Sequence, residues 1–145
     1  MVTGARMKEI LLHGAADEAF DRSVEFARAL AETSKARLHV MYTIENPLSA
    51  GWTAEMAAER LPELHQGMEA EARERLAMLI PMEEQDRLNV EIVLRTGPAA
   101  EELVQYTMDH PIDLAIVHAR ASGGSGSSAA RALFDGGRCA VLVLR

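Results

Sequence analysis

The segment TGPAAEELVQYTMDHPIDLAIVHARASGGSGSSAARALFDGGRCAVLVLR, running from Thr96 to Arg145, decides the fold of this chain. Gly97-Pro98 leads into Ala99-Ala100-Glu101-Glu102-Leu103. The proline suits a first helical turn, and the two glutamates stand where the helix dipole favours negative charge. His110-Pro111 ends that helix. Asp113-Leu114-Ala115-Ile116-Val117 is short and apolar and reads as a buried strand. A Gly/Ser run from Ser122 to Ser128 follows, then a short helix stopped by Asp135-Gly136-Gly137, then an apolar strand from Cys139 to Leu144. In parallel α/β proteins, a strand that feeds a glycine-rich loop at a helix start is where phosphates bind. Free backbone N–H groups and the positive end of the helix dipole converge there.

Working back toward the N-terminus, Lys8 to His13 reads as a first strand ended by Gly14-Ala15-Ala16. A helix from Asp17 to Thr33 repeats Phe20, Val24, Ala27 and Leu30 at helical spacing. Ala36 to Thr43 is a second strand, and Asn46 to Trp52 a loop in which Trp52 is an anchoring aromatic or a lid. Thr53 to Ile80 is helical, with Ala57, Leu61, Leu64, Met68, Ala72, Leu76 and Leu79 on one stripe. Pro62 lacks an N–H and is expected to break or kink this stretch, a break giving two helices with Pro62 in the first turn of the second. Leu88 to Arg95 alternates in polarity, which predicts a third strand near a sheet edge. Strands alternating with helices imply a parallel sheet with right-handed crossovers. The expected architecture is a three-layer α/β sandwich with five parallel strands in the order 3-2-1-4-5. That order puts a topological switch point between the first and fourth strands, with a ligand crevice at their carboxyl ends.

Composition sets the outer bounds. A chain of 145 residues, nearly half of them hydrophobic, fits one domain with its own core, and residues 1–6 read as a loose leader. The formal net charge of −7, without a basic run, argues against nucleic acid or an anionic membrane as a partner. No apolar stretch approaches the roughly 18 residues of a membrane span, and no signal-peptide pattern precedes Ile10. A cytoplasmic location is therefore expected. The lone Cys139 opens an apolar strand and reads as an inert core thiol.

Taken in order, several segments are similar to the universal stress protein family over nearly the whole chain. They are Lys8-Glu9-Ile10-Leu11-Leu12, Ser23-Val24-Glu25-Phe26-Ala27, Leu38-His39-Val40, Gly97 to Glu102, Ile112 to Val117 and Cys139 to Val143. The resemblance implies a Rossmann-like fold of the adenine nucleotide alpha hydrolase type and a role in stress response. It also implies a homodimer formed through the last strand, centred on Val141, Leu142 and Val143. Nucleotide-binding members of the family look like having an aspartate after strand one, a hydrophobic residue after a strand-two histidine, and a Gly-x2-Gly-x9-Gly-Ser/Thr loop after strand four. Here Ala15 stands at the aspartate position, and Val40 keeps the apolar wall. His118 and Ala121 replace the two loop glycines, and Ser127-Ser128 replaces the final pair on a loop four residues shorter. Gly123, Gly124 and Gly126 in the loop and Ser127 and Ser128 at the helix start remain as phosphate apparatus, with Arg120 and Arg131 nearby. The expectation is a degenerate nucleotide site that holds ATP or AMP weakly or not at all. No cofactor, metal or catalytic residue is expected, and any ATPase activity would depend on nucleotide binding.

Other constellations were weighed against bland readings. His13 and His118 end adjacent strands at the crevice. They could pair as an anion, metal or pH-sensing site, with Asp17 the nearest further ligand, or could simply fill space that a nucleotide takes in relatives. Space-filling is the preferred reading. A Ser127–His118–Asp17 hydrolase lacks any nucleophile-elbow sequence. His39 reads as a satisfied core histidine, and His65 and His110 as solvated. An unidentified protein partner is also expected.

Overall fold

Every strand pairs in parallel with its neighbour, as the crossovers require: β1 (Glu9–His13), β2 (Arg37–Ile44), β3 (Glu91–Thr96), β4 (Leu114–His118) and β5 (Ala140–Leu144). Their order in the sheet is β3-β2-β1-β4-β5, as the alternation of strands and helices predicts. This computed structural model describes residues 7–14, 18–44, 51–118 and 125–144. The leader at 1–6 lies outside the described residues.

The pleat divides the core into two layers. Ile10, Leu12, Leu38, Val40, Tyr42 and Ile116 face one side. There they pack with Val24 and Ala27 of α1 (Glu18–Ser34) and Leu76 of α2 (Ala54–Leu79). Leu11, Met41, Ala115 and Val117 face the other. They meet Leu103 and Tyr106 of α4 (Ala99–Asp109) and Leu133 of α5 (Ser125–Gly136). Burial of each such side chain contributes on the order of 1.5–3 kcal/mol. The central β1 and β4 are buried on both faces apart from their first residues, whereas β3 and β5 are only partly covered, as edge strands are.

Several local devices fix the frame. Asp113 Oδ2 accepts hydrogen bonds from the Lys8 and Glu9 amides at 2.8 and 3.0 Å, tying the start of β1 to the start of β4. Gly97 turns into α4 with φ near +142°, and a Cβ there would stand 2.8 Å from Glu102 Oε1. Only glycine suits that turn. Ion pairs of Arg28 with Glu84, Arg87 with Glu32 and Arg75 with Asp21 tie α1 to α2 and to the short α3 (Met82–Arg87).

Three expectations are corrected. Pro62 lies inside one continuous α2 on an exposed position and does not divide it. The helix starts at Thr53, whose hydroxyl caps it by accepting from the Met56 amide at 3.1 Å. A further helix, α3, occupies residues between the predicted long helix and β3, so β3 begins at Glu91 and not at Leu88. Finally, α5 begins at Ser125, so Gly126 belongs to its first turn and not to the preceding loop, with Ser127 and Ser128 at the helix start as expected.

Candidate functional site

The switch point falls between β1 and β4, whose register pairs Leu12 with Ile116. Chain leaving β4 at its carboxyl end must return to the start of the parallel β5. The intervening α5 therefore points its N-terminus at the crevice, with its first-turn amides available to an anion. Of the expected site residues, Ala15, Gly123 and Gly124 lie outside the described residues, as do Asp17, Arg120 and Ala121.

Val40 is fully buried in the layer facing α1 and α2. Two residues further along β2, Tyr42 lies level with Gly14, since His13 pairs with Met41 and the Gly14 amide donates to the Met41 carbonyl at 2.7 Å. The Tyr42 ring crosses Gly14 so closely that a Cβ at position 14 would come within 2.8–3.0 Å of three ring carbons. A side chain there would have to displace the ring.

His13 and His118 are both buried. Their strands are neighbours, as expected, but their side chains do not converge. His13 continues the Leu11 face toward α4 and α5 and lies 3.2 Å from Thr43 Oγ1 through Nε2. His118 continues the Leu114–Ile116 alternation toward α1 and α2. The paired-imidazole reading is thereby corrected by the strand pleat: two histidines one register step apart leave on opposite faces. Burial lowers the His13 pKa from its ordinary value by disfavouring the charged ring. Among the described residues, no group of three or more His, Cys, Asp or Glu side chains could hold a metal ion.

Sequence reading missed a second polar cluster at the amino end of the sheet. His39, as expected, is a satisfied core histidine, bonded to Tyr106 and Glu9. His110 and His65, read as solvated, are half-buried and engaged. His110 stacks on Tyr106 with ring centroids 4.0 Å apart, and His65 Nε2 lies 2.8 Å from Thr96 Oγ1. The one signal for the cluster was an inward-facing His39 on an otherwise apolar strand; its partners are 30 and 67 residues away in sequence. A wide cleft opens at the same end, lined by Lys8, Lys35, Arg37 and Arg87 among others. Arg37 is already paired with Glu91 and Arg87 with Glu32, so this cleft has less free charge than its composition suggests. Cys139 is partly buried, and desolvation raises its pKa, as suits an unreactive thiol.

These features define a doubly wound, all-parallel α/β protein whose crevice has the topology of a nucleotide-binding fold. The universal stress protein family model matches residues 10–145, and the chain belongs to that family. Solved structures agree on the fold. The chain is similar to the universal stress protein UspA from Lactobacillus plantarum, with 20% identity over 98% of this chain and 100% of that one, and a TM-score of 0.77. A universal stress family protein from Burkholderia pseudomallei matches at 18% identity over 98% of both chains, with a TM-score of 0.62. A universal stress protein solved in complex with cAMP matches at 16% identity over 97% of this chain and 98% of that one, with a TM-score of 0.58. No curated protein matches the chain significantly in sequence. No helix among the described residues is long and apolar enough to cross a membrane.

Proposed function

We propose that this chain, acting as one domain, is a regulatory binding module of the stress response. In this reading it is not an enzyme and its nucleotide site is degenerate. The observation that carries the reading is His118, a buried side chain at the end of β4, where the phosphate loop of nucleotide-binding relatives begins with glycine. An imidazole there opposes the close backbone approach that a pyrophosphate needs. Ala15 supplies no carboxylate on the nucleoside side. Each lost buried hydrogen-bond partner costs about 1–3 kcal/mol, or roughly one to two decades of affinity. What remains for an anion is the first turn of α5, with Gly126, Ser127 and Ser128.

The module works as a cytoplasmic homodimer joined through β5, together with a further protein partner. Position supports the dimer. β5 is a sheet edge, and Val143 on it is 45% exposed. Phe134, on the helix that leads into β5, is 83% exposed. An apolar edge of this kind is ordinarily covered.

Calorimetric titration of ligand-stripped protein with ATP, ADP and AMP, with and without magnesium, tests the reading. Silence up to millimolar nucleotide is expected, and micromolar binding would overturn it. A second reading, a nucleotide-binding member with a rebuilt cradle, draws on the structural neighbour solved with cAMP. In it, Gly124, Ser127 and Ser128 would meet phosphates and Val40 the base, and nucleotide would copurify with the protein.

A further inference from the structure

We propose that Tyr42 is a built-in occupant of the nucleoside half of the crevice, its ring closing an apolar recess that would otherwise admit a purine. The inference rests on reading the crevice as a nucleotide site. Three observations carry it. Gly14 is the first residue past β1, at the carboxyl end where the crevice opens, and the Tyr42 ring lies across it so closely that a side chain at position 14 would displace the ring. Gly14 and Tyr42 are thus a matched pair: a missing side chain on β1 is replaced by a ring reaching over from β2.

The ring also has a second side. It walls a groove formed by Met68, Glu71, Ala72, Glu74, Arg75 and Met78 of α2, and is only 8% exposed to solvent. It is therefore the partition between that groove and the end of β1. Cutting the side chain back to Cβ would join the two into one slot. Val40, Ala72 and Met68 would supply apolar walls, and the Arg75 guanidinium, held by Asp21 at 3.1 Å, would stand at the rim.

A planar aromatic heterocycle suits such a slot, because it takes the place of the phenol ring it displaces and can lie against a guanidinium. In the wild type, a purine binds only to the fraction of molecules whose ring has swung out, and apparent affinity falls by that fraction. The ring acts as a competitor at very high effective concentration.

The test is AMP and ATP titration of wild type, Tyr42→Phe and Tyr42→Ala by calorimetry, each first checked for a cooperative melt. Tyr42→Ala is expected to bind at least about tenfold tighter than wild type, with Tyr42→Phe unchanged and free p-cresol competing with nucleotide in Tyr42→Ala alone. A folded Tyr42→Ala that binds no tighter, or whose binding ignores p-cresol, overturns the inference. If Tyr42→Ala does not fold, Gly14→Ala replaces it, since the added methyl must push the ring aside; unchanged affinity there is equally fatal. Tight binding by the wild type would instead sink the degenerate-site reading, while the ratio between variant and wild type still judges the role of Tyr42.

Discussion

Nδ1 of His39 lies 2.7 Å from the Tyr106 hydroxyl, joining β2 to α4 through the middle of a packed layer. The other ring nitrogen, Nε2, lies 2.9 Å from Glu9 Oε2. A carboxylate only accepts, so Nε2 carries the proton and donates to Glu9; in the neutral ring Nδ1 then accepts from the Tyr106 O–H, and in the charged ring it donates to the Tyr106 oxygen. Tyr106 in turn stacks on His110, and the Arg95 guanidinium lies 5.7 Å from its ring centroid. One histidine thus satisfies polar groups from β1, β2 and α4 at once.

Tyr106→Phe removes the hydroxyl and leaves the buried Nδ1 without that partner. Glu91 Oε2, 3.7 Å from Nδ1, is itself an acceptor and offers no replacement for a neutral ring. The expected loss is about 1–3 kcal/mol of unfolding free energy in urea, with the far-ultraviolet spectrum unchanged. A loss below a few tenths would show that the bond contributes nothing net.

Acid should weaken the fold through His13. Its folded pKa is lowered by burial, so below the ordinary value of 6.5 the unfolded chain binds a proton that the native ring resists. Stability is therefore intact above that value and declines as pH falls from it toward the lower native pKa. The slope for one such group is at most about 1.4 kcal/mol per pH unit. Melting curves between neutrality and mild acid should flatten in His13→Asn; identical curves for variant and wild type would assign the acid sensitivity elsewhere.

Alkali should act through the two tyrosines. Burial raises the Tyr42 pKa, and burial together with nearby Glu91 pushes Tyr106 up to about 12 from 10.0. Tyrosines raised in the native state contribute stability that is complete below the unfolded value and is lost as pH rises through the folded one. For Tyr106 that window runs from 10.0 to about 12. Spectrophotometric titration of the native protein should show tyrosinate appearing late and together with unfolding, and Tyr106→Phe should reduce the alkaline loss.

Pro62 withholds an amide from the Ala58 carbonyl within a helix that continues past it. Pro62→Ala restores the donor at an exposed position, and a gain of roughly 1–3 kcal/mol is expected. Unchanged stability in thermal melts would indicate that the helix has already relaxed around the proline.

Val143→Lys tests the dimer with less disturbance than Leu142→Lys, because Val143 is exposed whereas Leu142 packs partly against the core. Light scattering should report half the wild-type mass for Val143→Lys, with its secondary structure retained. A wild type that is already monomeric, or a variant that stays dimeric, would remove β5 as the interface.

Sequence by itself determined the alternation of strands and helices, the parallel sheet and its strand order. Apolar runs such as Leu114 to Val117, alternating with capped amphipathic helices, leave few topologies once crossovers must be right-handed. It also placed His13 and His118 at the ends of the two strands that flank the switch point, since that follows from topology alone. Tertiary structure decided which groups meet. His13 and His118 end neighbouring strands, yet a single register step sends their rings to opposite faces, which no spacing in one strand reveals. Gly14 and Tyr42, 28 positions apart by their numbering, fit each other only because β1 and β2 pair in the register His13 to Met41. Pro62 stays inside α2 although local propensity opposes it. The helix on either side is held by its Thr53 cap and by the burial of Ala72 and Leu76, and these outweigh one missing hydrogen bond. Local chemistry is written along the chain, whereas contacts between distant residues depend on register, pleat and packing, which exist only in the folded molecule.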